Sequence, residues 1–164
     1  MGAQVLVRGG HANRVVSFGS TIKSYTAGQV IGVPTAIPTA VQDPGQTGVL
    51  ESLTIFDAEN QKGAVDIIFF QQLPTSQGAD GAAYALNATE LLYVLGRVSV
   101  LGSDYASSSA VAEATKNALG ISLAGATKAQ GGASAIVYCL AVARASITFA
   151  STGSLKMRVG ILQD

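Results

Sequence analysis

The chain has 164 residues, of which 48% are hydrophobic and 12% are charged, and its 10 basic residues balance its 10 acidic ones. This length predicts one domain, and a chain with so few charges and so many apolar residues is not disordered. Because the net charge is zero, the chain lacks the basic surplus that general nucleic-acid binding requires, and no nucleic-acid partner is predicted.

Residues 1–12 are predicted to form an N-terminal arm, and residues 13–164 a single β-sandwich domain. A short apolar patch, Val5–Val7, precedes Arg8 and two glycines. Glycine is costly inside regular structure, so we expect an arm or a short edge strand followed by a flexible joint. Fully extended, an arm of this length reaches roughly 40 Å.

The next segment is predicted to be a strand followed by a long loop. Val16, Phe18 and Ile22 fall on one parity within Arg14–Tyr25, which predicts a strand with one buried face. Three prolines follow within Pro34–Pro44. Because proline lacks the N–H that an interior strand needs, this segment is predicted to be an extended loop that ends in a turn.

Two strands are predicted over Gly48–Phe56 and Ala64–Phe70, with a polar loop at residues 57–63 between them. The short polar connection predicts that these strands pair as an antiparallel hairpin. The second strand is apolar on both faces except for Asp66. It is therefore predicted to lie in the middle of a sheet with both faces covered.

A short helix is predicted to begin after Asn87. Asn87 is a favourable N-cap, and Glu90, three residues later, is its expected capping-box partner. The helix is expected to run for about two turns and to stop by Gly96. Arg97–Leu101 then alternates as a strand.

The C-terminal part of the chain is predicted to be rich in strands. Residues 107–133 fit either a helix over Ala110–Leu119 or two short strands of small residues. Ser134–Phe149 has the β-branched and aromatic content of one long strand, and Leu155–Leu162 shows the clearest alternation in the chain. A tight turn at residues 151–153 predicts that these last two strands form a hairpin.

These elements add up to about seven or eight strands and one short helix, which is typical of an all-β sandwich or barrel. The low charge leaves a surface of small and polar residues that suits close packing against other subunits. Composition therefore favours an assembly subunit, although an ordinary neutral domain also fits it.

Few residues carry candidate chemistry. Cys139, the single cysteine, lies in the apolar run 135–143 and is predicted to be a buried, inert thiol. The single histidine, His11, lies in a glycine-rich segment, and nothing in the sequence pairs it with a nucleophile. Asp66 is predicted either to form an ion pair with an arginine such as Arg97 or to be exposed at a strand edge.

The loop between the two central strands contains the one arguable metal site. Asp57, Glu59, Asn60 and Gln61 are close in sequence, but their spacing does not fit the EF-hand loop, so we interpret the loop as a solvated tip. The chain contains no nucleotide-binding motif and no cluster of zinc ligands. The sequence thus predicts no catalytic residue, no cofactor and no metal, and we do not expect an enzyme.

Membrane insertion and export are not predicted. The longest uninterrupted apolar run, residues 135–143, is closed by Arg144 and is far shorter than the roughly 18 residues of a membrane helix. The first residues lack the basic and apolar regions of a signal peptide. We therefore expect a soluble protein that is made in a cytoplasm and has no membrane partner.

The arrangement of strands and loops over nearly the whole chain resembles small virion proteins of tailed bacteriophages. The segments that carry the resemblance are Tyr25–Gly32, Gly48–Asp57, Asn60–Lys62, Asp66–Phe70, Leu95–Tyr105 and Val159–Asp164. The resemblance implies a capsid cement (decoration) protein. Such proteins are jelly-roll-like antiparallel β-sandwiches that sit outside the phage head and bridge major capsid subunits.

The resemblance also implies partners and a location. The expected partners are the phage major capsid protein and further copies of this chain, as a homo-dimer or homo-trimer. The expected location is the capsid exterior, after assembly in the host bacterial cytoplasm. Because an arm can add a strand to a neighbour's sheet, capsid contact is assigned to the N-terminal segment. The assigned residues are Val5, Leu6, Val7, Arg8 and His11.

Three other functions remain open at this point. A tail or head-completion protein would form rings. A virion glycan-binding module would present exposed aromatic residues, for which Tyr25, Tyr84 and Tyr105 are the candidates. A hydrolase would need a pocket with a perturbed acid, around Asp66 and Asp104.

Overall fold

The computed structural model describes residues 10–126 and 134–163, which form eleven strands, one turn of α-helix and one 3-10 turn. In chain order the elements are β1 Gly10–Ser17, β2 Lys23–Tyr25, β3 Val30–Ile37, β4 Thr47–Asp57, β5 Val65–Phe70, α1 Ala88–Leu91, β6 Val94–Val100, the 3-10 turn Gly102–Asp104, β7 Ala106–Ser108, β8 Val111–Ala124, β9 Val137–Ala143, β10 Ile147–Phe149 and β11 Leu155–Gln163.

The strands form two main antiparallel sheets. The first sheet has the order β1-β11-β4-β8-β7, the second has the order β3-β9-β5-β6, and β10 pairs with β2 in a small third sheet. Without the short strands β2, β7 and β10, the chain alternates between the two main sheets at every connection except the one from β5 to β6. This is the strand order of a jelly roll, so the predicted all-β, jelly-roll-like antiparallel sandwich with one short helix is confirmed.

The main core lies between the inner faces of the two large sheets. Along β11, inward apolar residues alternate with outward polar ones, as its sequence predicted. Burial of each large apolar side chain contributes roughly 1.5–3 kcal/mol to stability. Fully buried members from the central strands are Leu53, Ile55, Ile67, Phe69, Leu155, Met157, Val159 and Ile161.

A second, smaller core covers the outer face of the second sheet. Ile68 and Phe70 of β5 point into it, and Tyr84 and Leu86 from the connection between β5 and β6 pack against it. β5 lies between β9 and β6. The prediction that this strand occupies mid-sheet with both faces covered is therefore confirmed.

Both predicted hairpins are wrong, because successive strands cross between sheets instead of turning back within one. β4 pairs with β11 and β8, whereas β5 belongs to the other sheet. At the C-terminus, the predicted long strand is interrupted at residues 144–146, so that β10 pairs with β2, while β11 pairs with β1 and β4.

Several predicted boundaries also need correction. Residues 18–22 interrupt the predicted strand Arg14–Tyr25. Pro34 lies inside strand β3 rather than in a loop; the pairing with β9 shifts register between Ile31 and Thr35, so the missing N–H falls at an irregularity. The helix is a single turn, because the chain leaves it to enter β6.

The sequence of residues 107–133 fitted either a helix or two short strands, and the described part of it contains strands. β7 and β8 occupy residues 106–108 and 111–124, so no helix forms over Ala110–Leu119. Residues 127–133 lie outside the described residues. Of the predicted arm, residues 1–9 also lie outside them, and residues 10–12 are the first part of β1, paired with β11. Within residues 10–126 and 134–163, no helix has the length and apolar character needed to cross a membrane.

Candidate functional site

Three exposed leucines stand out on the surface between β5 and β6. Leu73, Leu91 and Leu92 are 51%, 58% and 80% exposed. Their two segments lie side by side, since the Gln71 backbone N–H donates to the Tyr93 carbonyl at 2.8 Å. Scattered exposed leucines are ordinary, whereas three on adjoining segments are a candidate interaction surface. We call these three residues the leucine knob.

A buried carboxylate holds the leucine knob in place. Glu90 Oε1 accepts hydrogen bonds from the backbone N–H and the hydroxyl of Thr75, at 2.6 and 2.8 Å. The backbone N–H of Ser76 also donates to it at 3.1 Å, and the Ser76 hydroxyl donates to Oε2. Burial alone raises the pKa of Glu90, but these bonds from Ser76 and Thr75 outweigh it and lower the pKa to about 2.

The predicted N-cap is confirmed, although its partner differs. Asn87 Oδ1 accepts a hydrogen bond from the Glu90 N–H at 2.9 Å. The Asn87 N–H donates to the hydroxyl of Ser76 at 3.0 Å, where a capping box would have used the Glu90 carboxylate. Glu90 is thereby free to bind the opposite segment. The sequence did not reveal this role of Ser76, because Ser76 lies 14 residues away from Glu90.

A second carboxylate anchors the middle of the same connection. Asp80 accepts hydrogen bonds from the Tyr25 hydroxyl at 2.8 Å and from the Gly32 N–H at 2.7 Å. The Thr21 hydroxyl donates to it at 2.6 Å, and Lys23 Nζ lies 2.7 Å from Oδ2. Burial raises the pKa of Asp80, but Lys23 and the hydrogen bonds lower it overall. Residues 71–93 are thus tied to the β1–β3 region.

The residues assigned to capsid contact from the sequence are only partly described. Val5, Leu6, Val7 and Arg8 lie outside the described residues. His11 is exposed on β1, and its Nδ1 lies 3.2 Å from a carboxylate oxygen of Glu51. The structure therefore places His11 on the outer face of the first sheet.

The two acids considered for hydrolysis are held by cations. Asp66 lies 3.4 Å from Arg97 and 3.6 Å from Arg144, and the Ser99 hydroxyl donates to it at 2.6 Å, which confirms the predicted ion pair. Asp104 lies 2.6 Å from Lys116. The hydrogen bond from this lysine lowers the pKa of Asp104.

The remaining candidates from the sequence are Cys139 and the acids of the loop at residues 57–63, and each is either buried or hydrogen-bonded within the fold. Cys139 is fully buried, as predicted, and burial raises the pKa of its thiol. Asp57 accepts backbone hydrogen bonds from Glu59 and Lys62 within its own loop. Glu59 in turn accepts from the N–H groups of residues 150 and 151. Among the described residues, no three His, Cys, Asp or Glu side chains gather as metal ligands would.

The tyrosines considered for glycan binding do not form an exposed cluster. Tyr25 is fully buried and Tyr105 nearly so, with the Tyr105 hydroxyl donating to the Gly63 carbonyl at 3.1 Å. Tyr84 packs against the second core. Of these three candidates, two are therefore buried, and the exposed aromatic cluster that the glycan-binding alternative required is not formed by them.

Comparison with known proteins yields only remote similarities. No protein-family model and no curated protein sequence matches the chain. A chain of the Desmodium yellow mottle tymovirus structure matches with a TM-score of 0.31 and 8% identity, over 99% of this chain and 90% of that one. A chain of the heated full particle of Israeli acute paralysis virus matches with a TM-score of 0.29 and 11% identity, over 97% and 71%.

An enzyme is found among the similar structures as well. A family two carbohydrate esterase from Cellvibrio japonicus matches with a TM-score of 0.20 and 10% identity, over 93% of this chain and 33% of that one. At TM-scores and identities this low, none of the three similarities carries an argument about function. The same general fold also serves capsid proteins, lectins and cupins, so function has to be argued from the surface.

Proposed function

We propose that this protein is a structural, non-catalytic virion component that binds the outside of a tailed-phage head and cements neighbouring major capsid subunits. The observation that carries the proposal is the leucine knob, three exposed leucines on adjoining segments that the Glu90 carboxylate ties together. Leucine side chains gain free energy when another protein covers them, and this free energy is available for docking. The resemblance to cement proteins adds the phage head as the partner.

The bracing of the leucine knob favours a preformed docking surface. Glu90 ties the two knob segments together before any partner arrives. Ordering of a loop on binding costs free energy, and a braced loop has already met this cost in folding. Burial of the three leucines by a partner then adds free energy with little further ordering cost.

Cementing requires that each copy contacts more than one capsid subunit. We propose the N-terminal segment as the second contact, through Val5–Arg8 and His11. Two weak contacts on one molecule strengthen each other, because the first raises the effective concentration of the second. Association of the chain as a homo-dimer or homo-trimer would multiply the contacts further.

The test is an add-back experiment with phage heads stripped of this protein. Wild-type protein is expected to rebind and to raise the temperature at which heads release DNA. The double variant Leu91→Ser, Leu92→Ser is expected to fold normally and to lose at least about tenfold in affinity, because two exposed apolar anchors are removed. Bound copies per head are counted by gel densitometry.

Two further variants sharpen this test. Ile22→Ser is the matched control, since Ile22 is 64% exposed but lies in the β1–β2 connection, and it is expected to bind like wild type. Deletion of residues 2–9 leaves β1 intact and is expected to weaken binding through loss of the second contact. Wild-type occupancy by both the leucine double variant and the deletion variant would refute the proposal. Binding to tails or necks instead of heads would favour the tail or head-completion alternative.

A further inference from the structure

Two rows of outward-facing residues cross the first sheet side by side. In one row Asn13, Gly160, Ser52 and Asn117 are register partners across β1, β11, β4 and β8. In the adjacent row Arg158, Thr54 and Thr115 are partners. A depression of about 360 Å³ lies over these rows, and we call it the polar groove. Its lining residues are Asn13, Ser52, Thr54, Thr115, Asn117 and Arg158.

Irregularities occur in three of the strands that line the groove. The pairing shifts register at Gly160/Ile161 on β11 and at Leu50/Ser52 on β4. Ala118 of β8 has a left-handed backbone conformation, with a φ of 55°. Such bulges bend a sheet and often lie beside binding sites. A second depression of about 510 Å³ adjoins the first and shares Ser52 and Asn117 with it.

The groove has a glycine floor. A Cβ at position 160 would lie 2.5 Å from Ser52 Oγ and 3.6 Å from Asn13 Oδ1. A side chain at this position would therefore crowd the Ser52 hydroxyl, and glycine leaves the space between the two polar groups open. The result is an opening with polar atoms on both sides and no side chain beneath.

The polar side chains of the groove have hydrogen-bonding capacity to spare. Within residues 10–126 and 134–163, the side chains of Asn13, Ser52 and Asn117 have no hydrogen-bond partner. Thr54 and Thr115, in contrast, bond to one another at 3.1 Å. Unpaired amides and hydroxyls in one depression can exchange water for the hydroxyl groups of a ligand.

The charge of the groove is low and localised. Arg158 is the single charged residue in its lining, and its guanidinium lies 5.5 Å from the centre of the Phe56 ring, which limits its motion. At the far end of the adjoining depression, Glu51 is paired with His11. This arrangement suits a ligand rich in hydroxyl groups with at most one acidic group, and it lacks the cations that a nucleic-acid backbone needs.

We propose that the polar groove binds a saccharide chain, with neighbouring sugar units in the two adjoining depressions. Asn13 and Asn117 would each pair with hydroxyls of a sugar ring, and Arg158 would donate to a ring oxygen, a hydroxyl or a carboxylate. A peptide is the less suitable ligand, because the groove lies on a sheet face whose backbone groups are already paired, not at an open edge. The inference is independent of the proposed head binding.

The test uses the intact chain on a printed array of bacterial and mammalian oligosaccharides, followed by titration of the best saccharide by NMR. We expect binding to at least one saccharide class. Asn117→Ala and Arg158→Gln are each expected to weaken it by about fivefold or more, as loss of a hydrogen bond to the ligand implies. Circular dichroism checks that both variants remain folded. Thr152→Ala, an exposed turn residue outside the groove, is the control and should bind like wild type.

The outcomes decide the proposal in either direction. Saccharide-induced shifts confined to the groove residues, and lost in the Asn117 and Arg158 variants, would support it. Absence of binding to every saccharide, binding that both variants retain, or preferential binding of an unstructured peptide library would overturn it. Because neither Asn117 nor Arg158 belongs to the leucine knob or to the N-terminal contact, the variants at these two residues should still occupy phage heads, which separates this result from the test of head binding.

Discussion

Glu90 shows how a single side chain joins local structure to a candidate binding surface. Its carboxylate accepts hydrogen bonds from four donor groups, the backbone N–H and the hydroxyl of both Thr75 and Ser76, and so joins the segments of the leucine knob. The sequence predicted the helix cap at Asn87, but it wrongly assigned the Glu90 carboxylate to a capping box with Asn87. It did not predict that Glu90 binds the opposite segment, because hydrogen bonds between distant segments leave no spacing pattern in a sequence.

Glu90 also makes the stability of the protein depend on pH. Its pKa falls from the ordinary 4.5 to about 2 on folding, so the unfolded chain binds more protons between these values. Its contribution to the free energy of unfolding is therefore complete above about pH 4.5 and is lost as the pH falls toward 2. We expect the melting temperature to fall over this range in scanning calorimetry.

The variant Glu90→Gln isolates this effect. It is expected to lower the free energy of unfolding at neutral pH by about 2 kcal/mol, a typical loss for hydrogen bonds to a charged group, and to flatten the acid dependence. Glu113→Gln, at an exposed carboxylate of β8, should change neither. If the free energy of unfolding fell equally with decreasing pH in wild type and in Glu90→Gln, the role given to Glu90 would be contradicted.

Gly32 is a residue whose identity is dictated by the backbone conformation and by a close neighbour. Its φ is +73°, and a Cβ there would lie 1.6 Å from the Phe18 carbonyl oxygen. Gly32→Ala is therefore expected to cost about 3 kcal/mol or more in urea unfolding. Gly45→Ala is the matched control, because Gly45 also has a positive φ but an open surrounding, and about 1–2 kcal/mol is expected there. Equal losses would show that the contact with Phe18 is unimportant.

At the scale of elements, the sequence patterns predicted the positions of strands better than they predicted which strands pair. The alternation in β11 and the apolar run of β5 reflect local burial, which a sequence records directly. Pairing depends on which sheet the next strand joins, and a jelly roll sends most successive strands to opposite sheets. A short polar loop such as residues 57–63 looks the same whether it turns back or crosses over, so both hairpin predictions were wrong.

The connection between β5 and β6 is anchored to the rest of the fold through Asp80. Asp80 holds it to Tyr25, Lys23 and Gly32. Asp80→Ala is expected to speed backbone hydrogen exchange at residues 77–86 by at least about tenfold, while β4 and β11 stay protected. Asp43→Ala, at an exposed acid in the β3–β4 connection, is the control. Uniform acceleration across all strands, or none at residues 77–86, would contradict a local anchoring role.

At the scale of the whole molecule, composition and strand content predicted the fold class, whereas the surface features that suggest function came from the structure. The leucine knob unites Leu73 with Leu91 and Leu92 only after the connection folds back, and the polar groove unites residues from four strands. Neither forms a motif along the chain. The low charge of the sequence was nevertheless consistent with a molecule whose surfaces contact other proteins.

The most direct test of the central claim is a cryo-electron microscopy reconstruction of phage heads decorated with the purified chain. The account predicts density for a jelly roll on the outer surface of the head, in contact with at least two capsid subunits, with the leucine knob facing the shell. Density confined to the tail, the neck or the head interior, or a knob that faces solvent on a fully decorated head, would contradict it.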